Sequence, residues 1–241
     1  MVKITSSSKR NPEPKSVNLD SVKITTWGAI KINKSHFFPS SFQIKTSKAT
    51  IYIDPIEINT NDKADYIFIT HAHPDHLSIK DIKQIIKPST RIICSKGVAK
   101  KLSKHNYNIT VLAPSESIDL NNGIHCEATY AYNTKSVFLW IKAHPKSKQN
   151  VGFILSVDGI KIYHAGDTDY IPEMNTIKGI TVALIPIGGD NLTMNAEEGA
   201  KIVNEIKPQI AIPMHFEVKD SIALKTFQNF IKDKIKIELL N

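Results

Sequence analysis

The sequence predicts an α/β protein built on two β-sheets with helices outside them, and three observations carry that reading. Strand and helix patterns alternate between residues 65 and 112 in the βαβ manner of a parallel sheet. From Ser117 to Trp140 the pattern changes to shorter β-like pieces, which implies a second sheet. Beyond residue 150, apolar strands recur and end in polar clusters: Gly166-Asp167-Thr168-Asp169, Gly188-Gly189-Asp190 and His215.

Taken in order, residues 1–20 read as a flexible lead-in, polar and interrupted by Asn11-Pro12-Glu13-Pro14, and residues 21–241 as a single domain. Val22–Trp27 alternates as a half-buried strand. Lys34–Ser41 reads as an irregular loop. Phe42–Thr46 and Ala49–Ile53 form a hairpin across Ser47-Lys48, and the second strand ends in Asp54-Pro55. Asp65–Thr70 is a buried strand. Ser78 caps a helix whose isoleucines at 79, 82, 85 and 86 share a face until Pro88 ends it. Arg91–Cys94 and Ile109–Leu112 are strands around a helix over Lys96–Lys104.

In the second half, Asn121-Asn122-Gly123 marks one hairpin turn and Asp158-Gly159 a second, between strands Val151–Val157 and Ile160–His164. Val182–Ile187 is a strand. Asn195 caps a helix with Ala196, Ala200, Ile202, Val203 and Ile206 inward, and Pro208 ends it. Gln209–His215 is the next strand. Asp220–Lys232 closes the fold as a helix with Ile222, Leu224, Phe227 and Ile231 inward.

Chemistry concentrates in His71-Ala72-His73-Pro74-Asp75-His76, on the loop between the Asp65–Thr70 strand and the helix capped by Ser78. Three imidazoles and a carboxylate in six residues are borderline-to-hard ligands suited to zinc, manganese or iron. A closed structural zinc knot fits less well, since such sites lean on thiolates and neither Cys94 nor Cys126 has a partner at C-x-x-C spacing. His144, Asp167 and His215 add ligands from separate places. Seven groups exceed the needs of one ion, so two divalent ions sharing a carboxylate are expected. Asp54, at a strand end, is placed either to orient the metal loop or simply to form a turn before proline.

Whole-chain properties narrow the partners. The net charge is +8, yet only Arg10 and Arg91 of the 31 basic residues are arginines. The forked guanidinium that clamps phosphates and reads bases is almost absent, so a lysine-rich solvated surface is expected rather than nucleic acid. Apolar runs fall far short of the ~18 residues that span a bilayer, so no membrane partner is expected. With no apolar leader and two distant cysteines, the expected compartment is the cytoplasm.

The combination of His71-x-His73-x-Asp75-His76, a later isolated histidine, Gly166-Asp167-Thr168 after a strand and a strand ending in His215 resembles the metallo-β-lactamase-fold hydrolases, over residues ~21 to ~230. Tyr163–Thr168, Leu184–Gly189 and Ile212–His215 look like the ascorbate-6-phosphate lactonase-like branch of that superfamily. The resemblance implies a four-layer αββα sandwich of two mixed β-sheets flanked by helices. It also implies His71, His73 and His144 on one metal, Asp75, His76 and His215 on a second, and Asp167 bridging. His105, His125 and His164 also precede Asp167; the position of His144 before the Val151 strand matches the family best. The chain departs from many lactonase-like members at Gly28-Ala29-Ile30, where a histidine is replaced and an enlarged loop follows.

The expected function is a metal-dependent hydrolase in which two divalent ions, zinc first and manganese second, activate a hydroxide against a small anionic ester, lactone or phosphoester. Asp75 and Asp167 are the catalytic carboxylates. Alternatives are a phosphodiesterase or nuclease on the same core, or a metal- or nucleic-acid-binding protein without turnover. The lysines in Lys135–Lys148 could meet an anionic group or simply form a solvated face.

Overall fold

A computed structural model describes residues 4–6, 14–32, 35–232 and 234–240. Strands β1 (Ile4–Ser6), β2 (Lys15–Leu19), β3 (Val22–Thr26), β4 (Ile30–Ile32), β5 (Ser35–Phe38), β6 (Phe42–Lys45), β7 (Thr50–Ile53) and β8 (Tyr66–Ile69) precede helix α1 (Ile79–Ile85). Then come β9 (Arg91–Cys94), α2 (Lys96–Leu102), β10 (Asn108–Val111), β11 (Ser117–Leu120), β12 (Ile124–Tyr130), β13 (Val151–Val157), β14 (Ile160–His164) and β15 (Val182–Pro186). The chain ends with α3 (Ala196–Ile206), β16 (Ile210–Met214), β17 (Phe216–Glu217), α4 (Ser221–Phe230) and β18 (Lys236–Ile237).

Among the described residues the strands form two seven-stranded mixed sheets and one of four strands. The first large sheet runs β10-β9-β8-β7-β6-β3-β2, parallel from β10 to β7 and antiparallel beyond. The second runs β11-β12-β13-β14-β15-β16-β18, antiparallel as far as β14 and parallel after it. Alternation along the strands sets the layers. Phe68 and Ile93 face the second sheet, with Phe68 packing edge-on against Phe153 at 5.2 Å. Their neighbours Ile67, Ile69, Ile92 and Cys94 face outward onto Ile82 and Ile85 of α1 and Val98 and Leu102 of α2. On the far side, Ala200, Ile202 and Val203 of α3 join the central core with Ile185 and Ile187. The result is the four-layer αββα sandwich. Each fully buried isoleucine or phenylalanine contributes roughly 1.5–3 kcal/mol toward offsetting chain entropy.

Local chemistry explains the elements that frame the site. Ser78 accepts from the Asp81 amide to cap α1, and Asn195 forms a capping box with Glu198 at the start of α3. The β13–β14 turn places Asp158 and Gly159 both at positive φ, as a two-residue hairpin turn requires.

Three expectations are corrected. Ordered structure begins before residue 21: β1 pairs with β4, and β2 pairs with β3 from Lys15↔Thr26 to Leu19↔Val22. Only Val17 of β2 is fully buried, with Leu19 packed partly buried against the core, a pattern too short to signal a strand. The Asn11-Pro12-Glu13 part of the predicted lead-in lies outside the described residues. The predicted loop over residues 34–41 contains strand β5, which pairs with β4 and β17 in the four-stranded sheet. In α4, Ile222 points to solvent, whereas Phe227 is buried. Among the described residues no helix is long and apolar enough to cross a membrane.

Candidate metal centre

Parallel strands of a sheet end together, so β7, β8, β14, β15 and β16 deliver their following residues to one edge of the sandwich. Asp54 follows β7, the His71–His76 loop follows β8, Asp167 follows β14 and His215 follows β16. His144 arrives on the connection between β12 and β13. All seven ligands expected from the sequence meet there. The donor atoms of His71, His73 and His144 lie within 4.8 Å of one another, as do those of Asp75, His76, Asp167 and His215.

Asp167 stands between the groups. Its Oδ2 lies 3.0 Å from His215 Nε2, 3.3 Å from His76 Nε2, 3.5 Å from His144 Nε2 and 3.7 Å from His71 Nε2. Asp75 Oδ2 lies 3.5 Å from His215 Nε2 and 3.6 Å from His76 Nε2. His144 Nε2 and His73 Nδ1 are 3.1 Å apart. Donors bound about 2.0–2.1 Å from one tetrahedral ion sit about 3.3–3.4 Å from each other, so these separations are those of ligand atoms around an ion. Four of the innermost atoms, His71 Nε2, His76 Nε2, His215 Nε2 and Asp167 Oδ1, are buried without a hydrogen-bond partner. Buried polar atoms are otherwise nearly always paired, so the donor set fits divalent metal.

Supporting hydrogen bonds fix which ring nitrogen is free. Asp54 accepts from the Thr70 amide at 2.8 Å, from Thr70 Oγ1 at 2.6 Å and from His76 Nδ1 at 2.7 Å. Because the Thr70 hydroxyl hydrogen goes to Asp54, Thr70 Oγ1 accepts from His71 Nδ1 at 3.0 Å. Both histidines therefore turn Nε2, rather than Nδ1, toward Asp167. His144 donates from Nδ1 to Asn133 Oδ1 at 2.9 Å and to the Leu192 carbonyl at 3.1 Å. Asn133 is held in turn by Asp169, which also accepts from the Thr134 and Lys135 amides. Asp54 and His215 both occupy positive φ, a conformation that other residues rarely adopt.

Electrostatics divides the two groups. Burial pushes His71 and His73 below the ordinary imidazole range and His144 down to about 4. At His76 and His215 burial acts the same way, but neighbouring carboxylates outweigh it. Asp167, Asp75 and Asp54 raise His76 well above its ordinary value, and Asp167 and Asp75 raise His215 to about 9. Burial would raise Asp75, yet the His76 charge and the His215 hydrogen bond hold it at about 2. Asp167 is likewise held well below the carboxylate range by His215 and His76, against its own burial.

The centre opens into a cleft of about 810 Å³ lined by His73, Asp75, His144, Asp167 and His215. Its walls are apolar at Ile32, Phe37, Pro74 and Leu192 and acidic at Asp190, Glu217 and Asp220. The enlarged segment after Gly28 thus becomes the β4–β5 wall, with the Phe37 ring edge-on to His215 at 4.7 Å. His164 stays outside the centre, bonding the Ser40 carbonyl and the Gly166 amide. His125 pairs with Asp119 at the surface and His105 stacks on Tyr107. Sequence reading missed Thr70 and Asn133. Thr70 directly precedes the motif, while Asn133, 11 positions before His144, carries no local signal.

Residues 35–215 match a family model described as a beta-lactamase superfamily domain. The UPF0173 metal-dependent hydrolase TK0141 of Thermococcus kodakarensis is 31% identical over 217 residues, covering 83% of this chain and 92% of the relative. A solved structure from Parabacteroides distasonis, named as a candidate metal-dependent hydrolase, superposes with a TM-score of 0.75 at 28% identity, covering 95% of this chain and 98% of that one. A candidate zinc-dependent hydrolase of the metallo-beta-lactamase superfamily from Thermotoga maritima shares the fold with a TM-score of 0.56 at 19% identity, covering 85% and 96%.

Proposed function

The chain belongs to the beta-lactamase superfamily, among the UPF0173 metal-dependent hydrolases, and on that premise we propose that it is a hydrolase that cleaves a small anionic ester, lactone or phosphoester at a dinuclear centre. The observation that carries the reading is the buried, unpaired set of nitrogen and oxygen atoms converging on Asp167. His71, His73 and His144 would hold one ion, Asp75, His76 and His215 the other, with Asp167 shared. Zinc is the first choice for nitrogen-rich tetrahedral ligands, as in the name of the Thermotoga maritima neighbour, and manganese the second. Bound divalent ions supply hydroxide at neutral pH and polarise the bond under attack.

The chain's own groups do the rest. Asp54 and Asn133 lock the imidazoles in the orientation that leaves Nε2 free. Asp75 is 22% exposed on its side chain and faces the cleft, so its ionised Oδ2 can accept a hydrogen bond from the attacking water. Its low basicity suits it to carry that proton only briefly, on the way to the leaving group. Phe37, Ile32 and Leu192 exclude water from one side of the cleft.

Among the described residues the cleft lining includes no lysine or arginine, and Asp190, Glu217 and Asp220 are acidic. A substrate's negative charge is therefore best placed at the reacting group itself. This favours a compact lactone, ester or phosphoester over a polyanionic strand and weighs against the nuclease reading. Within the superfamily we place the chain in the ascorbate-6-phosphate lactonase-like branch, on Tyr163–Thr168, Leu184–Gly189 and Ile212–His215.

The test is elemental analysis of the purified protein beside hydrolysis of a chromogenic lactone, phosphodiester and phosphomonoester, for wild type and Asp167→Ala. Near two metals per chain, with turnover lost in Asp167→Ala, is the expected result. One equivalent or fewer after reconstitution, with no turnover, overturns the two-ion reading and leaves a binding role.

A further inference from the structure

Between Asn133 and His144 the chain leaves the domain surface as a short hairpin. The Val137 amide donates to the Ile141 carbonyl and the Ile141 amide to the Phe138 carbonyl, each at 2.8 Å, and Leu139-Trp140 form the tip. Five consecutive apolar residues stand in solvent: Val137 at 41% exposure, Phe138 at 66%, Leu139 at 65%, Trp140 at 80% and Ile141 at 53%. No other segment of the described residues exposes such a run. Leu139 also holds a φ of +49°, a position that glycine or asparagine fills more easily, so a large apolar side chain is kept at the apex against backbone preference.

We propose that this hairpin is an interfacial anchor that inserts into the surface of an anionic lipid bilayer. Side chains on a two-stranded ribbon point alternately to opposite faces, so residues 137–141 present apolar groups in all directions. A protein groove covers one face of such a ribbon, whereas lipid surrounds a protruding tip. Tryptophan at the apex suits the headgroup boundary, being apolar in body with one polar N–H. Charge agrees. Lys142 directly follows the tip and Lys148 lies further along the same connection; neither has an ion-pair partner among the described residues, while Lys135 and Lys146 pair with Glu198 and Glu173. The chain as a whole carries +8, and basic residues beside an inserted apolar segment strengthen attachment to anionic leaflets.

The expectation of no membrane partner counted spanning segments only, and insertion of a hairpin tip needs none. His144 lies three residues after Ile141, so their Cα atoms are at most about 11 Å apart. The anchor would therefore set the open cleft beside the bilayer surface. It stands on its own observations, independent of the reaction proposed above.

The experiment is vesicle co-sedimentation of the full chain with phosphatidylcholine vesicles, with and without phosphatidylglycerol, alongside tryptophan emission. The chain has 2 tryptophans. Trp27 is 4% exposed and stacked on Tyr52, so any change on adding vesicles reports Trp140. Expected are binding to phosphatidylglycerol-containing vesicles, a blue shift, and a partition coefficient lowered roughly tenfold or more in Phe138→Ser/Trp140→Ser. Lys142→Glu/Lys148→Glu should weaken binding only to the anionic vesicles and lessen its salt dependence. Trp140→Phe should keep binding and lose the spectral shift. Absence of binding, binding unaffected by Phe138→Ser/Trp140→Ser, or an oligomer in solution that this double variant dissociates overturns the proposal; the last outcome assigns the tip to self-association. Hydrolytic turnover and metal content should be unchanged in these variants.

Discussion

Asp54 offers the sharpest test of how the centre is held, because three donors converge on its two oxygens: the Thr70 amide, Thr70 Oγ1 and His76 Nδ1. Asp54→Ala leaves all three buried groups without their acceptor. At about 1–3 kcal/mol for each stranded group, partly relieved by relaxation, the expected loss is about 3 kcal/mol, or roughly 6–12 °C in Tm for a chain of this size. Asp54→Asn is the informative contrast. Asparagine tolerates the positive φ at this position and its Oδ1 can still accept from the Thr70 amide. Its NH2, however, meets the His76 Nδ1–H donor, which pushes His76 to the tautomer protonated on Nε2 and removes that nitrogen as a ligand. The expected loss of metal affinity is about 10–100-fold, or ~1.4–2.7 kcal/mol, with a smaller loss of metal-free stability than in Asp54→Ala. Competition against a chromophoric chelator and metal-free thermal melts read the two effects separately. Wild-type metal affinity in Asp54→Asn would refute the orienting role, as would a metal-free Asp54→Ala protein as stable as wild type.

Two further predictions follow from the same centre. At pH 7 the metal-free protein carries protons on His76 and His215, held there mainly by Asp167 and Asp75, whereas burial keeps His71, His73 and His144 neutral. Metal entering beside Asp75 must displace protons, so its affinity should rise with pH toward about 9, and titration calorimetry in buffers of different ionisation enthalpy should show proton release there but none at the His71 group; equal release at both would contradict the division. Gly188→Ala places a Cβ 2.2 Å from the His215 carbonyl oxygen, so roughly 1–3 kcal/mol of stability should be lost and His215 displaced, seen as a lower Tm together with weakened metal binding.

Much of this protein was legible in its sequence. Apolar runs gave the central strands, because a strand buried on both faces needs continuous Ile, Val and Phe, and Ser78 and Asn195 marked helix starts through side chains that act within a few residues. The candidate site residues were legible because four of them share one loop and Asp167 and His215 follow strands, whereas His144 lies on the β12–β13 connection and was picked out by its match to the family. What sequence could not convey depends on distance through space. β5 is held on one side by its neighbour β4 but on the other by β17, about 180 residues along the chain, and no local pattern encodes that second pairing. The same holds for Asn133, whose role arises only when β12 and β13 bring His144 back to it. Val137–Ile141 makes the point most directly, since five apolar residues in sequence suggest a buried strand. Only the packed fold leaves them exposed among the described residues.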